Sequence, residues 1–253
     1  MQSLIVPIFK NGDTNIPSNY RTIMISIILA KLYGIILEKK ISLRLESHGK
    51  RDKVQDGFRR YHSTVDHLVT FRIIAEEFRN TKTNLFCCFV DFRKAFDMVP
   101  RKNLWNRLEE IKVPLELRVV AIRMYENVIA KFKNIEGWSK EINYNIRAKQ
   151  GCPLSPTLFC IYIDKLEDCL ENVGCVGPTL TDIVINLLLY ANDIILLART
   201  RIPHDLGEKL IILIVFCSNM RMTFNIDNTK VMIIKSNKIT YDTLYITTIT
   251  WRN

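Results

Sequence analysis

Residues 183–198 read IVINLLLYANDIILLA, two apolar runs on either side of the tip Ala191-Asn192-Asp193. Short apolar runs separated by a few turn residues predict a β-hairpin within a buried sheet. Two interpretations of the tip are open. Asn and Asp are ordinary turn residues, or Asp193 is a carboxylate that the hairpin presents to a ligand. The second interpretation requires another carboxylate nearby.

A candidate for that second carboxylate ends another apolar run. Residues 84–91 read NLFCCFVD and predict a strand that is buried on both faces and ends at Asp91. A carboxylate without partners is costly to bury, so Asp91 needs one. It could cap a helix or pair with Arg93 or Lys94, or it could bind a metal ion together with Asp193.

Between these two runs, residues 150–156 read QGCPLSP and predict a tight loop that leads into a helix. Ser155 followed by Pro156 places a capping residue and a fixed φ at the helix start, and apolar spacing continues the helix to Cys169. Such a loop presents backbone N–H groups and the Gln150 amide to a ligand.

The rest of the sequence interleaves helices with strands. Apolar spacing predicts further helices over residues 27–45, from an N-cap at Ser63 or Thr64, after Pro100, after Pro114 and over residues 205–217. A strand is predicted over residues 230–235, and residues 132–147 are typical of short strands loosely alternating with loops. This order predicts an α+β fold with helices packed on one face of a sheet.

The amino-acid composition limits the classes of protein to which the chain could belong. With 253 residues and 48% apolar content, the chain can bury a core. Its net charge of +10 favours a polyanionic partner such as nucleic acid, although a solvated basic surface has the same balance. Seven cysteines without paired CxxC spacing predict reduced thiols. Without a signal peptide or a membrane span, we expect an intracellular protein that is not secreted and has no membrane partner.

Three segments follow one another as motifs: DFRKAFD at residues 91–97, QGCPLSP at 150–156 and YAND at 190–193. They resemble the palm motifs of reverse transcriptases (RNA-directed DNA polymerases) of non-LTR, LINE-like retrotransposons, whose third motif reads YADD. Upstream segments are similar to the family's fingers motifs: PIFKNGD at residues 7–13, NYR at 19–21 and QDGFR at 55–59. The resemblance extends over residues 5–235.

The resemblance implies one right-hand polymerase domain, with fingers over residues 1–83 and a palm over residues 84–253, and with part of 100–146 returning to their junction. The palm would be a small antiparallel sheet with helices on one face. A nuclear or cytoplasmic location is also what the resemblance implies. It also implies two Mg²⁺ ions, or Mn²⁺, with an RNA template, a DNA primer and deoxynucleoside triphosphates as partners. The catalytic positions would be Asp91, Asn192 and Asp193, the metal ligands Asp91, Phe92 and Asp193, and the nucleotide contacts Lys10, Arg21, Phe96, Gln150 and Gly151.

Three positions depart from the family pattern. Asn192 replaces an acid and brings no charge to a cation. Arg147 replaces a glycine, and Asn228 replaces a lysine that could protonate the leaving pyrophosphate. With no thumb apparent after the palm, the sequence predicts a truncated polymerase that is impaired or inactive. The alternative is a non-catalytic nucleic-acid-binding remnant, or a domesticated protein, that uses the basic cleft. The oligomeric state is not predicted.

Overall fold

Groups of strands and groups of helices follow one another along the chain. The computed structural model describes residues 2–49, 54–93, 95–134, 137–144, 149–199, 205–235 and 239–242. Besides a 3-10 turn at Pro17–Asn19, the elements in chain order are β1 (Gln2–Phe9), β2 (Tyr20–Ser26), α1 (Ile28–Ser47), α2 (Thr64–Asn80), β3 (Leu85–Val90), α3 (Ala95–Met98), α4 (Arg101–Glu110), α5 (Leu115–Tyr125), β4 (Ile129–Asn134), β5 (Gly137–Trp138), β6 (Ile142–Asn143), α6 (Ser155–Ile163), α7 (Lys165–Asn172), β7 (Thr179–Leu180), β8 (Ile183–Val184), β9 (Leu187–Tyr190), β10 (Asp193–Ala198), α8 (Asp205–Asn219), β11 (Lys230–Ile234) and β12 (Ile239–Asp242).

The chain divides into two compact units. The first comprises Met1–Lys50 and Phe96–Ile161, and the second comprises Arg51–Ala95 and Tyr162–Asn253. The fingers over residues 1–83 and the palm over residues 84–253 remain a prediction, and the division into compact units groups residues 51–83 with the second unit. The physical reason is α2, which packs Ile74 and Phe78 into the hydrophobic core of the second unit.

The first unit contains a five-stranded sheet with the order β2-β1-β4-β5 and with β6 also paired to β4. β1 is antiparallel to β2 and parallel to β4. Its core includes Ile5, Met24, Val128 and Ala130. The sequence did not predict β1 and β2, because the apolar residues there, such as the exposed Ile8, show no clear alternation between buried and exposed positions.

The second unit contains the antiparallel sheet β12-β11-β3-β10-β9 and the small hairpin β7-β8. β3 is central and buried on both faces, as predicted, except for Phe89, which is 37% exposed. α2 packs against one face of this sheet, as expected, through contacts with Leu85, Leu188 and Leu197. The predicted hairpin of residues 183–198 is shorter than expected, because β8 pairs with β7 and the first long arm begins at Leu187.

One helix prediction was right about the element and wrong in two details. The helix predicted from Ser155 to Cys169 is interrupted at Asp164, between α6 and α7. Ser155 is the first helical residue. Its hydroxyl donates a hydrogen bond to the Lys149 carbonyl (2.7 Å), whereas the hydroxyl of an N-cap residue would accept one from a backbone N–H of the helix. Ser63, by contrast, caps α2 as predicted, in a reciprocal pair with Asp66.

The seven cysteines are free thiols, and six of them are buried. Burial raises the pKa of Cys87, Cys88 and Cys217 to about 12, so these thiols stay protonated at neutral pH. Among the described residues, no helix combines the length and apolar character needed to span a membrane.

Lys209 of α8 is a buried charge in the second unit, with 0% exposure. Its Nζ donates to the carbonyl oxygens of Leu197 (2.6 Å) and Val176 (3.3 Å) and lies 3.0 Å from Asp205 Oδ1. Burial lowers the pKa of Lys209, while Asp205 acts in the opposite direction. The side chain therefore joins α8 to β10 and to the loop before β7.

We expect Lys209→Ala to lower the free energy of unfolding by about 3 kcal/mol, because it removes the buried cation that interacts with the Asp205 carboxylate and with two carbonyl groups. Urea denaturation measures this loss. Lys230→Ala is the matched control, since Lys230 is exposed in β11, and its effect should stay within about 0.5 kcal/mol. Equal effects of the two variants would contradict a structural role for Lys209.

Candidate metal centre and nucleotide-binding residues

Two carboxylates lie at neighbouring strand ends in the second unit. β10 is antiparallel to β3, with Ile194 opposite Val90, so the next position in this register sets Asp193 opposite Asp91. Residues opposite each other in such a pair share a face, with Cβ atoms roughly 5 Å apart. The structure therefore brings together the two carboxylates that the sequence suggested as metal ligands.

Asp193 shows the electrostatic effect of this proximity. Partial burial raises the pKa of Asp193, and the neighbouring charge of Asp91 raises it further. Two carboxylates that share a site repel each other when both are ionised, and a cation between them removes that repulsion. The donor set of this pair is therefore suited to a hard divalent cation.

Asp91 is held by two asparagines from the segment before β11. Its Oδ2 accepts hydrogen bonds from Asn228 Nδ2 (2.9 Å) and Asn225 Nδ2 (3.3 Å). Its carbonyl oxygen accepts from the Asn225 N–H (2.7 Å). The ion pair considered between Asp91 and Arg93 is not the one found, because Arg93 pairs with Asp227 (3.8 Å). Lys94, the other suggested partner, lies outside the described residues.

The turn between β9 and β10 consists of Ala191 and Asn192. Ala191 has a φ of +57°, in the left-handed region that favours glycine. Asn192 directs its amide nitrogen to Asp193 Oδ1, at 3.2 Å. The residue that replaces the expected acid thus donates a hydrogen bond to its neighbouring carboxylate and adds no charge to the site.

Phe92 can contribute to a metal site only through its backbone. Its side chain is apolar and 5% exposed, and it forms an isolated antiparallel bridge with Phe224. The carbonyl oxygen is the group of Phe92 with the chemistry of a hard-metal ligand.

Lys10 and Arg21 belong to the β1–β2 hairpin of the first unit. Arg21 lies opposite Ile8 in the register, and Lys10 follows β1 two residues after Ile8. Alternation therefore places both cations on one face of the hairpin, as diagonal neighbours with Cα atoms roughly 7 to 8 Å apart. Both side chains are exposed, which suits contact with a phosphate group.

The loop that carries Gln150 and Gly151 is fixed within the first unit. The Gln150 carbonyl accepts from the Met24 N–H (2.7 Å). Gly151 has a φ of +101°, and a Cβ there would lie 2.5 Å from the Met24 carbonyl oxygen. The position therefore requires glycine. Phe96 packs against Phe159, with ring centroids 4.5 Å apart.

Lys149 is a buried residue of this loop that no sequence pattern indicated. It is 2% exposed, donates to the Met124 carbonyl and lies 4.8 Å from the centre of the Tyr125 ring. Burial lowers its pKa to about 8. A hydrogen bond between the Tyr125 and Ser155 hydroxyl groups, whose oxygens lie 2.6 Å apart, also supports this loop. Arg147, the expected departure from the family pattern, lies outside the described residues.

A second group of possible metal ligands includes Asp56, His62 and Asp66, whose ligand atoms lie within 4.8 Å of one another. These atoms already have protein partners. His62 Nδ1 lies 2.6 Å from Asp56 Oδ1, and Asp66 Oδ2 accepts from the Ser63 N–H and hydroxyl of the α2 cap. Hydrogen bonding within the protein accounts for this cluster.

Comparison with known proteins gives consistent matches. A family model described as "Reverse transcriptase (RNA-dependent DNA polymerase)" matches residues 8–244. The Pol polyprotein from type-1 retrotransposable element R2 of Nasonia vitripennis is 28% identical over 202 residues, covering 79% of this chain and 19% of that protein. The probable RNA-directed DNA polymerase from transposon X-element of Drosophila melanogaster is 25% identical over 205 residues, covering 77% of this chain and 20% of that protein. The chain thus spans about a fifth of the length of these relatives.

Solved structures of telomerases share the fold. Telomerase from Candida tropicalis, in complex with a fragment of telomeric RNA, aligns with a TM-score of 0.66 and 14% identity, over 96% of this chain and 45% of that chain. Telomerase from Candida albicans, also with a telomeric RNA fragment, aligns with a TM-score of 0.64 and 13% identity, over 97% of this chain and 48% of that chain. At this identity the similarity concerns the fold alone.

Proposed function

The chain belongs to the reverse transcriptase (RNA-dependent DNA polymerase) family, and from this membership we propose that it is the polymerase domain of a non-LTR retrotransposon. Its reaction is the addition of deoxynucleotides to a DNA primer on an RNA template. The observation that carries the proposal is the meeting of Asp91 and Asp193 on one face of the antiparallel sheet. Among its relatives, the R2 and X-element proteins support the retrotransposon origin.

Asp91 and Asp193 would hold the divalent ions, Mg²⁺ or Mn²⁺, with the Phe92 carbonyl oxygen as a further ligand. The chemistry that two such ions supply when bound is activation of the primer 3′-hydroxyl and neutralisation of the triphosphate. Asp91 is kept in position by Asn225 and Asn228. Asp193 is kept in position by the register of β10 against β3.

Polymerisation by this chain is impaired because Asn192 supplies an amide where the family has a carboxylate. An amide oxygen can contact a cation but brings no negative charge, so a second ion would be held less tightly. Asn228 adds to the defect. Its amide cannot donate a proton to the leaving pyrophosphate at neutral pH, and in the structure it donates to Asp91 Oδ2.

The first unit would supply the nucleotide contacts. Lys10 and Arg21, on one face of the β1–β2 hairpin, would make charge-assisted contacts to the triphosphate. Gln150 and Gly151 would line the nucleotide and template pocket through the loop fixed to Met24. Phe96 would lie under the sugar and select against a 2′-hydroxyl. These roles follow from the resemblance at residues 7–21, 91–97 and 150–156.

Primer extension tests the proposal. A DNA primer on poly(rA), with dTTP and Mg²⁺ or Mn²⁺, should be extended slowly by the chain and faster by Asn192→Asp. Binding of the primer-template should weaken steeply with salt, since neutralised phosphates release counterions. If neither protein extends the primer although both bind it, the polymerase proposal fails, and a non-catalytic nucleic-acid-binding role remains.

A further inference from the structure

The turn that carries Asn192 is held by a side chain that lies 136 positions earlier in the chain. Gln55 Oε1 accepts a hydrogen bond from the Ala191 N–H (2.9 Å), and Gln55 Nε2 donates to the Ala191 carbonyl (3.3 Å). The amide therefore pairs with both backbone groups of one residue. Gln55 is 0% exposed, and such a buried amide is costly without these partners.

Ala191 needs this support because of its conformation. A positive φ at the first central residue of a two-residue hairpin turn usually requires glycine, and alanine there is strained by about 1 kcal/mol or more. The backbone of Gly57 also lies close to Ala191. A Cβ on Gly57 would lie 2.1 Å from the Ala191 nitrogen, so a side chain at position 57 would displace the turn.

Further bonds attach the Gln55 segment, residues 54–57, to β9. The Leu189 N–H donates to the Val54 carbonyl (2.9 Å), and the Asp56 N–H donates to the Leu189 carbonyl (3.0 Å). His67 also donates to this carbonyl through Nε2 (2.7 Å), while its Nδ1 lies 3.2 Å from Asp56 Oδ2. The segment thus covers the edge of β9 up to the turn.

We propose that Gln55 is a positioning residue for the metal-binding hairpin, setting the Ala191–Asn192 turn and through it the carboxylate of Asp193. This inference rests on the proposed function only for its catalytic consequence. The effect of Gln55 on the turn is a property of the folded chain and can be measured without catalysis. Displacement of a reacting or ligating group by about 1 Å can cost on the order of a hundred-fold in rate.

The test compares Gln55→Met with Ser63→Ala. Methionine keeps the length of the side chain and removes its hydrogen bonds to Ala191. Ser63→Ala weakens the N-terminus of α2 in the same unit by about 1 kcal/mol without a bond to the turn. We expect hydrogen exchange of the Ala191 N–H, followed by NMR, to be at least about ten-fold faster in Gln55→Met than in Ser63→Ala.

The catalytic consequence is measured in the Asn192→Asp background. There Gln55→Met should lower kcat by about ten- to a hundred-fold while KM for dTTP changes little, because the turn and not the nucleotide contacts is altered. Gln55→Glu should give a smaller increase in Ala191 exchange, because its carboxyl oxygen can still accept from the Ala191 N–H. This variant also replaces Gln55→Met if the latter does not fold.

Equal Ala191 exchange in the Gln55 variants and Ser63→Ala would overturn the proposal. An unchanged kcat in the presence of fast Ala191 exchange would also overturn it. If no variant polymerises, the exchange comparison alone decides the role of Gln55, and only the proposed function has failed.

Discussion

The Asn192→Asp variant is expected to add deoxynucleotides on an RNA template on the order of a hundred-fold faster than the parent chain. One preorganised electrostatic group at a reacting centre typically contributes that much. In the parent, the amide of Asn192 donates to Asp193 Oδ1 (3.2 Å). Aspartate removes this donor and adds a negative charge beside two existing carboxylates. Single-turnover primer extension with saturating Mg²⁺ measures the change.

The matched control for this substitution is Asn192→Ala, which removes the amide without adding charge and should remain as slow as the parent. The added charge should also make stability depend on metal. Without a divalent ion, Asn192→Asp should unfold at lower urea concentration than the parent, and Mg²⁺ should reverse the difference by binding the folded state. An Asn192→Asp variant that binds primer-template and stays as slow as Asn192→Ala would refute the assignment of the defect to position 192.

Substituting Asp91 by asparagine in the Asn192→Asp background is expected to lower the extension rate by about a thousand-fold. Asparagine keeps the shape of the side chain and its oxygen can still accept from Asn225 and Asn228, so the fold should survive. The charge that holds the cation is lost. The rate is measured by the same single-turnover assay, with circular dichroism to verify folding.

Asp182→Asn is the control for the loss of one negative charge. Asp182 is exposed between β7 and β8 of the same unit, and its substitution should change the rate less than about two-fold. Comparable losses in Asp91→Asn and Asp182→Asn would show that Asp91 has no special part in the reaction.

Much of the second unit was predictable because its strands are apolar runs that end at polar residues. The runs ending at Asp91 and containing Asp193 identified β3 and the β9–β10 hairpin, and the motifs implied that the two carboxylates meet. The α+β polymerase fold is confirmed by the antiparallel sheet and by the telomerase structures. Ser63 indicated the start of α2, since a capping residue is a local signal.

What the sequence did not predict depends on contacts between distant residues. Gln55 appeared only as one letter of an upstream motif, and its partner Ala191 lies 136 positions away. Asn225 and Asn228 show no pattern that indicates their bonds to Asp91. The assignment of residues 51–83 to the second unit results from the packing of α2, whose apolar positions do not specify which core they enter.

The most direct test of the account is whether Asp91 and Asp193 bind the same cation. Mn²⁺ affinity, measured by electron paramagnetic resonance, should fall at least about ten-fold in Asp91→Asn and in Asp193→Asn. If both carboxylates bind one ion, the loss of either already disrupts the site. The Mn²⁺ affinity of the double variant should therefore be only slightly lower than that of the single variant with the lower affinity. Independent, multiplying losses, or an unchanged Mn²⁺ affinity in either single variant, would contradict a shared metal site.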